Sequence, residues 1–214
     1  MSRIRAFPDR RAAGLHLGGL LRRRDWHDPL VVGLARGGMV VAYATAEVLG
    51  APLDVAVARK IGAPGHPEFG IGAVTASGEV TYDKRTLAML GLRPEDLVEA
   101  CEAERAEARR REEVYLNGRE PKPRTGRDVI LVDDGLATGV TARAAARAMR
   151  ADVPRALVFA APVCAPDAAV TLKGDVDEVV CLLAPEEFRA VGQWYGNFDQ
   201  TTDAEVIELL GSAP

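Results

Sequence analysis

The sequence predicts an α/β fold: a doubly wound, mainly parallel open sheet with helices on both faces, plus a small hood and a helical insert. Three observations lead there. Short apolar runs alternate with stretches of helix length, the pattern of successive βαβ units. The runs PLVVGL (29–34) and DVILV (128–132) are nearly continuous in apolar residues, as strands covered on both faces require. And three conspicuous polar motifs each follow directly on a strand: Arg36-Gly37-Gly38, Arg59-Lys60 and Asp133-Asp134. Ligands of open α/β sheets sit beyond the carboxyl ends of the strands, so the three motifs mark one site.

The elements follow in order. Segment 8–24 reads as an amphipathic helix with Ala12, Leu15, Leu20 and Leu21 on one side. After the strand at 29–34, ARGG (35–38) is a turn, and 39–50 a helix closed by Gly50. LDVAVAR (53–59) is the next strand. KIGAPGHPEFGIG (60–72) is so rich in Gly and Pro that it reads as a loop. Residues 72–83 read as a β-hairpin turned at Ser77-Gly78. Helices are expected near 83–91 and 94–117, the second opening with Pro94, Glu95 and Asp96 beside its dipole. Its charge suggests a solvated helix projecting from the body, or else a lid or a contact between copies. Beyond the strand at 128–132 come a helix (138–151), a strand (156–164), a short helix (166–172), a strand (178–184) and two short helices around an aromatic loop. The expected organisation is one domain over 1–214, with a core at about 28–185, an insert at about 83–120 and a hood built from the terminal segments.

Composition narrows the function. The chain has 214 residues, 48% hydrophobic but only 5% aromatic, so aliphatic side chains must fill the core. A net charge of −4 is a poor footprint for nucleic-acid binding. No apolar run reaches membrane-spanning length and the N-terminal stretch has no apolar signal core, so no membrane partner is expected. Cys101, Cys164 and Cys181 fit neither zinc-site nor disulfide-framework spacing, and Cys164 and Cys181 read as core thiols. A reducing, cytoplasmic setting is the expectation.

The stretch VILVDDGLATGVTARAA (129–145) carries the chemistry. Two adjacent carboxylates at a strand end are costly to bury unless something binds them. The chain then turns through small residues into a helix whose first N–H groups are unpaired, a ready phosphate cradle. Thr138 and Thr141 add hydroxyl donors, and Asp133 and Asp134 suit ribose hydroxyls. The combination is shaped for a ribose 5-phosphate; the plainer alternative is an acidic strand end before a Thr-capped helix.

This stretch resembles the signature of the type I phosphoribosyltransferases: four apolar residues, two acidic, two apolar, two small, Gly, any residue, and a small one. Here it runs from Val129 through Asp133, Asp134, Gly135, Leu136, Ala137, Thr138, Gly139, Val140 and Thr141. Gly135 departs from it, standing where the family usually has an apolar side chain. Residues 31–50 resemble the family's first strand, pyrophosphate loop and helix, and 57–74 its next strand and mobile loop. The resemblance implies transfer of ribose 5-phosphate from phosphoribosyl pyrophosphate (PRPP) to a nitrogenous base, with release of pyrophosphate. Asp133 to Thr141 would bind PRPP, and Arg36, Gly37, Gly38, Arg59 and Lys60 the pyrophosphate. It implies Mg²⁺ carried by PRPP, reaching Asp133 and Asp134 through water and with no direct protein ligand.

Other positions refine this picture. The 6-oxopurine members have an Asp where this chain has Ala137, which counts against hypoxanthine and guanine; adenine and uracil members have Ala. Glu68, with His66 beside it, is the candidate acid or base in the loop. Trp194, Tyr195 and Phe198 could stack a base in the hood; packing onto the body is the plainer reading. A PRPP-sensing regulator without transferase activity is the alternative, against which stand the acidic charge and the lack of a helix-turn-helix segment. PRPP synthesis is a further alternative, but no second similar half is found. A homo-oligomer is left open.

Overall fold

A computed structural model of the chain describes residues 6–214, apart from the side chains of 67–69. In chain order the elements are α1 (Arg10–Leu21), β1 (Leu30–Leu34), α2 (Gly37–Leu49), β2 (Leu53–Ala56), β3 (Ala58–Ala63), β4 (His66–Thr75), β5 (Val80–Tyr82), α3 (Lys84–Leu90), α4 (Val98–Leu116), β6 (Asp128–Val132), α5 (Val140–Arg150), β7 (Ala156–Val163), α6 (Pro166–Leu172), β8 (Glu178–Leu183) and α7 (Asp203–Ser212). Single 3₁₀ turns occupy Pro94–Leu97 and Val191–Trp194.

The main sheet has the order β2-β1-β6-β7-β8, and every neighbouring pair is parallel. From β1 the chain winds one way to β2; from β6 it winds the other way through β7 to β8. The carboxyl ends of β1 and β6 therefore flank the point where strand order reverses, which opens a crevice there. Alternate strand residues serve opposite faces. Val31, Ile130, Val132 and Val158 meet Leu17, Met39 and Val206 on the side of α1, α2 and α7. Val32, Leu131 and Phe159 meet Ala142, Ala145 and Leu172 on the side of α5 and α6.

Helix α1 buries a different stripe from the expected one. Ala13, Gly14, Leu17, Gly18 and Leu21 face inward, whereas Leu15 is 42% exposed. The reason is close packing on α2: a methyl group placed on Gly14 would lie 2.6 Å from the Val41 carbonyl oxygen, and one on Gly18 2.8 Å from Val48 Cβ. Glycine here is part of the contact face, which a count of apolar side chains overlooks.

The run 53–59 is not one strand. It divides at Val57 into β2 of the main sheet and β3 of a second, antiparallel sheet ordered β3-β4-β5. Segment 60–72, expected as a loop, is most of a β3–β4 hairpin. Gly65, at φ +76°, sits in the tight connection, and the pairing shifts register around Gly62, so glycine serves a turn and a bulge within paired strands. Ile61 and Ile71 are fully buried and anchor the hairpin. The turn at Ser77-Gly78 falls where expected, with the Thr75 N–H donating to the Glu79 carbonyl at 2.9 Å.

Helix α4 does not project from the body. It packs on β3, β4 and α7, burying Cys101, Ala108 and Tyr115 at seven-residue intervals. Cys164 and Cys181 are not separate thiols but a disulfide, with 6.2 Å between Cα atoms. They lie near the carboxyl ends of the adjacent parallel strands β7 and β8, and that sheet neighbourhood is not visible in their spacing along the chain. The terminal segments meet: the Phe7 N–H donates to the Trp194 carbonyl at 3.0 Å, and the Gly196 N–H to the Phe7 carbonyl at 2.7 Å. Among the described residues no helix is long and apolar enough to cross a membrane.

Candidate active site

A cleft of about 840 Å³ opens at the carboxyl ends of the strands and is lined by all three polar motifs. From the β1 end come Ala35 and Arg36, from β3 Arg59 and Lys60, and from the β6 end Asp133 to Gly139 with Thr141. Gly37 and Gly38 open α2 beside the acidic pair. A methyl group on Gly38 would lie 2.8 Å from the Val132 carbonyl oxygen and 2.9 Å from Asp133 Oδ1, and one on Gly37 would collide with the Asp134 carboxylate. Both positions therefore need glycine if the helix start is to press against the end of β6. The Ala35–Arg36 peptide before them is cis.

The acidic pair is held from several sides. The Asp134 N–H donates to Asp133 Oδ1 at 2.8 Å, and Arg10 Nε donates to Asp134 Oδ2 at 2.7 Å. Arg10 also donates to the Asp199 carbonyl at 2.6 Å, and its guanidinium lies 3.8 Å from the centre of the Phe198 ring. Burial, followed by repulsion from Asp134, pushes the Asp133 carboxyl well above its ordinary range. Burial raises Asp134 too, against the pull of Arg10. Among the described residues each carboxyl has one protein partner, the Asp134 N–H for Asp133 and Arg10 for Asp134, and both line the cleft.

Helix α5 begins behind this pair. Gly139, at φ +76°, caps its start without a side-chain hydrogen bond, and Thr138, Gly139 and Thr141 line the cleft there. The Val140 side chain faces the other way, packed with Ala73 and Ala144. At Gly135 the missing side chain is accounted for: a methyl group there would lie 2.7 Å from Val191 Cγ2, so Val191 fills that space.

The aromatic cluster divides. Phe198 lines the cleft, but Trp194 and Tyr195 do not. Tyr195 is 3% exposed, donates its hydroxyl to the Asp134 carbonyl at 2.6 Å, and stacks on Phe198 with centroids 5.0 Å apart. It braces the acidic pair rather than offering a free face. Glu68 falls in β4, and its side chain lies outside the described residues. His66 is exposed beside the hairpin turn and does not line the cleft.

Arg10, Glu104, Arg111, Val191 and Gln200 also line or brace the cleft, and the sequence does not single them out. Nothing marks Arg10 among the other N-terminal arginines. Glu104 and Arg111 did carry a signal. Each stands three residues after a member of the 101, 108, 115 stripe, on the flank of α4 that borders the cleft.

A parallel α/β sheet thus brings an acidic pair, the start of a helix and a basic rim together on one cleft at its switch point. The sequence model of the phosphoribosyl transferase domain matches residues 16–192, and the chain belongs to that family. It is 40% identical over 210 residues to proteins of two Mycobacterium tuberculosis strains that carry the name phosphoribosyl transferase provisionally. The match covers 98% of this chain and 47% of theirs, so the chain spans about half the length of the curated relatives it matches. The crystal structure of TT1426 from Thermus thermophilus is 42% identical, with a TM-score of 0.80 over 95% of this chain and 97% of that one. The AQ2163 protein from Aquifex aeolicus shares the fold at 12% identity, with a TM-score of 0.50 over 86% of this chain and 78% of its own.

Proposed function

We propose that the chain transfers ribose 5-phosphate from PRPP to a nitrogenous base and releases pyrophosphate. The observation that carries this reading is the convergence of Asp133-Asp134, the Ala137–Thr141 cradle and the Arg36, Arg59 and Lys60 cations on one cleft. The cradle N–H groups and the Thr138 and Thr141 hydroxyls hold the 5-phosphate. Asp133 and Asp134 accept hydrogen bonds from the ribose hydroxyls. Arg36, Arg59 and Lys60 meet the pyrophosphate on the opposite wall. Among the described residues no three His, Cys, Asp or Glu side chains group as a metal cage. Two carboxylates facing the cleft do suit Mg²⁺, which takes one or two carboxylates together with substrate phosphates and keeps its waters. Asp133 and Asp134 would hold it through water, and its charge would offset that of the leaving group.

Charge developing at the anomeric carbon needs shielding from water. The β3–β4 hairpin supports that role, because it leaves the main sheet at the rim of the cleft and carries Arg59, Lys60 and Glu68. Glu68 is the candidate proton carrier. Ala137 lines the cleft with no group that exchanges a proton, which favours acceptors other than hypoxanthine and guanine. Phe198 is the one aromatic of its cluster placed to border the acceptor, at the hood formed by the terminal segments.

A panel of bases assayed for PRPP-dependent pyrophosphate release tests the proposal. We expect turnover with a base outside the 6-oxopurines. Saturable PRPP binding with no pyrophosphate release from any base would instead support a PRPP-sensing role.

A further inference from the structure

We propose that helix α4 is a working wall of the pyrophosphate site, with Arg111 as an additional leaving-group cation and Glu104 as a carboxylate that occupies Arg59 until phosphate displaces it. This rests on the PRPP-transfer reading and goes beyond the strand-end loops that carry it. Glu104 and Arg111 stand seven residues apart, two turns along one helix face, and both line the cleft. Glu104 Oε2 accepts from Arg59 Nε at 2.7 Å, with both side chains about one-third exposed or less. Arg111 donates its Nε to Glu107 at 2.7 Å. Its two outer nitrogens make no hydrogen bond among the described residues. One turn further on, the Tyr115 hydroxyl donates to Asp203 Oδ1 at 2.7 Å, and the same oxygen lies 3.5 Å from Arg36 Nη1. Helix α4 thus touches Arg59 directly, reaches Arg36 through Asp203, and adds a fourth cation of its own.

Charge balance gives these contacts their meaning. In the resting cleft Arg59 is matched by Glu104 and Arg36 faces Asp203, which leaves Lys60 as the strand-end cation without an ion pair among the described residues. A pyrophosphate group carries several negative charges, more than one free lysine offsets. Its oxygens accept from a guanidinium in the same geometry as a carboxylate does. Entry of the anion therefore exchanges Glu104 for phosphate on Arg59 and brings the outer nitrogens of Arg111 into use. Until then Glu104 competes for Arg59, and a weakly charged anion gains little by displacing it.

The test is titration calorimetry with inorganic pyrophosphate and, separately, ribose 5-phosphate, each in magnesium buffer, on the full chain. Wild type is compared with Glu104→Gln, Arg111→Met and Arg111→Lys, with melting curves to confirm folding. Glu104→Gln should bind pyrophosphate several-fold more tightly, because the competing charge is gone. Arg111→Met should bind it roughly tenfold more weakly, as loss of a charged hydrogen bond implies, and Arg111→Lys should recover part of that. Ribose 5-phosphate, held at the opposite wall, should bind all four proteins alike. Unchanged pyrophosphate affinity in both Glu104→Gln and Arg111→Met, with wild type binding both ligands, would overturn the role of α4 alone. Failure of wild type to bind either ligand would overturn the transfer reading with it.

Discussion

At the scale of single residues, Asp133 sets the tension between stability and function. Its carboxylate sits half-buried in the cleft beside a second one, and its pKa is raised first by desolvation and then by Asp134. A raised pKa means that, above the ordinary carboxylate range, the fold bears a cost at this group that the unfolded chain, free to solvate the ion, does not. An asparagine keeps an oxygen to accept the Asp134 N–H and removes the repulsion. Asp133→Asn should therefore raise the melting temperature of the ligand-free protein. Thermal unfolding at pH 7 checks this; a lower melting temperature would show that the charge is compensated in the empty site. Arg10 is the compensating residue to consider, since it already pairs with Asp134 at 2.7 Å. It comes from the opposite end of the chain, which explains why nothing local in the sequence picked it out.

At the scale of elements, the contact between α1 and α2 separates propensity from packing on one helix. Gly19 has open space where its side chain would go, so Gly19→Ala should stabilise by the helix propensity gained, roughly 0.5–1 kcal/mol. Gly14→Ala gains the same propensity but drives a methyl group to 2.6 Å from the Val41 carbonyl. Overpacking of this kind costs about 1–3 kcal/mol, so Gly14→Ala should be net destabilising. Denaturant unfolding of the two variants should move the midpoint in opposite directions; a shared direction would mean that the helices can separate freely. The main-sheet strands and their helices were legible because apolar runs and helix periods are local properties. The β3–β4 hairpin was not. Its glycines and prolines look like a loop until pairing with a partner strand shows Gly65 as a turn and Gly62 as a bulge. The face buried by α1 was misread for a similar reason, since glycine contributes to a packed face by what it lacks. The Cys164–Cys181 bond was hidden because parallel strands adjacent in space need a helix between them in sequence.

At the scale of the whole molecule, two ion-pair systems serve different ends. One, around Arg10, Asp134, Arg36 and Asp203, surrounds the cleft. The other fastens α5 to the loop before β8, where Asp175 takes Arg143 Nε and Arg147 Nε, each at 2.7 Å. Burial opposes ionisation of Asp175, but those two arginines outweigh it and hold the carboxyl below its usual range. A depressed pKa contributes stability that is present above the unfolded value, about 3.9, and is lost as pH falls through the folded one. Asp175→Asn should therefore lower stability at pH 7 and flatten its decline below pH 4, as read from unfolding midpoints across pH. An unchanged acid limb would assign the loss to other carboxylates. The cleft itself is legible in the sequence as one site, because polar motifs at three strand ends converge by topology. Its second wall, from α4, is not, because that wall depends on how a charged helix docks. On the proposed reading Asp133 and Asp134 receive the ribose of PRPP, and calorimetric titration with Mg-PRPP tests this most directly. We expect wild type to bind, and the Asp133→Asn/Asp134→Asn double variant to lose affinity roughly a hundredfold or more, as loss of two charged acceptors implies. Equal affinity in the two proteins would contradict the assignment.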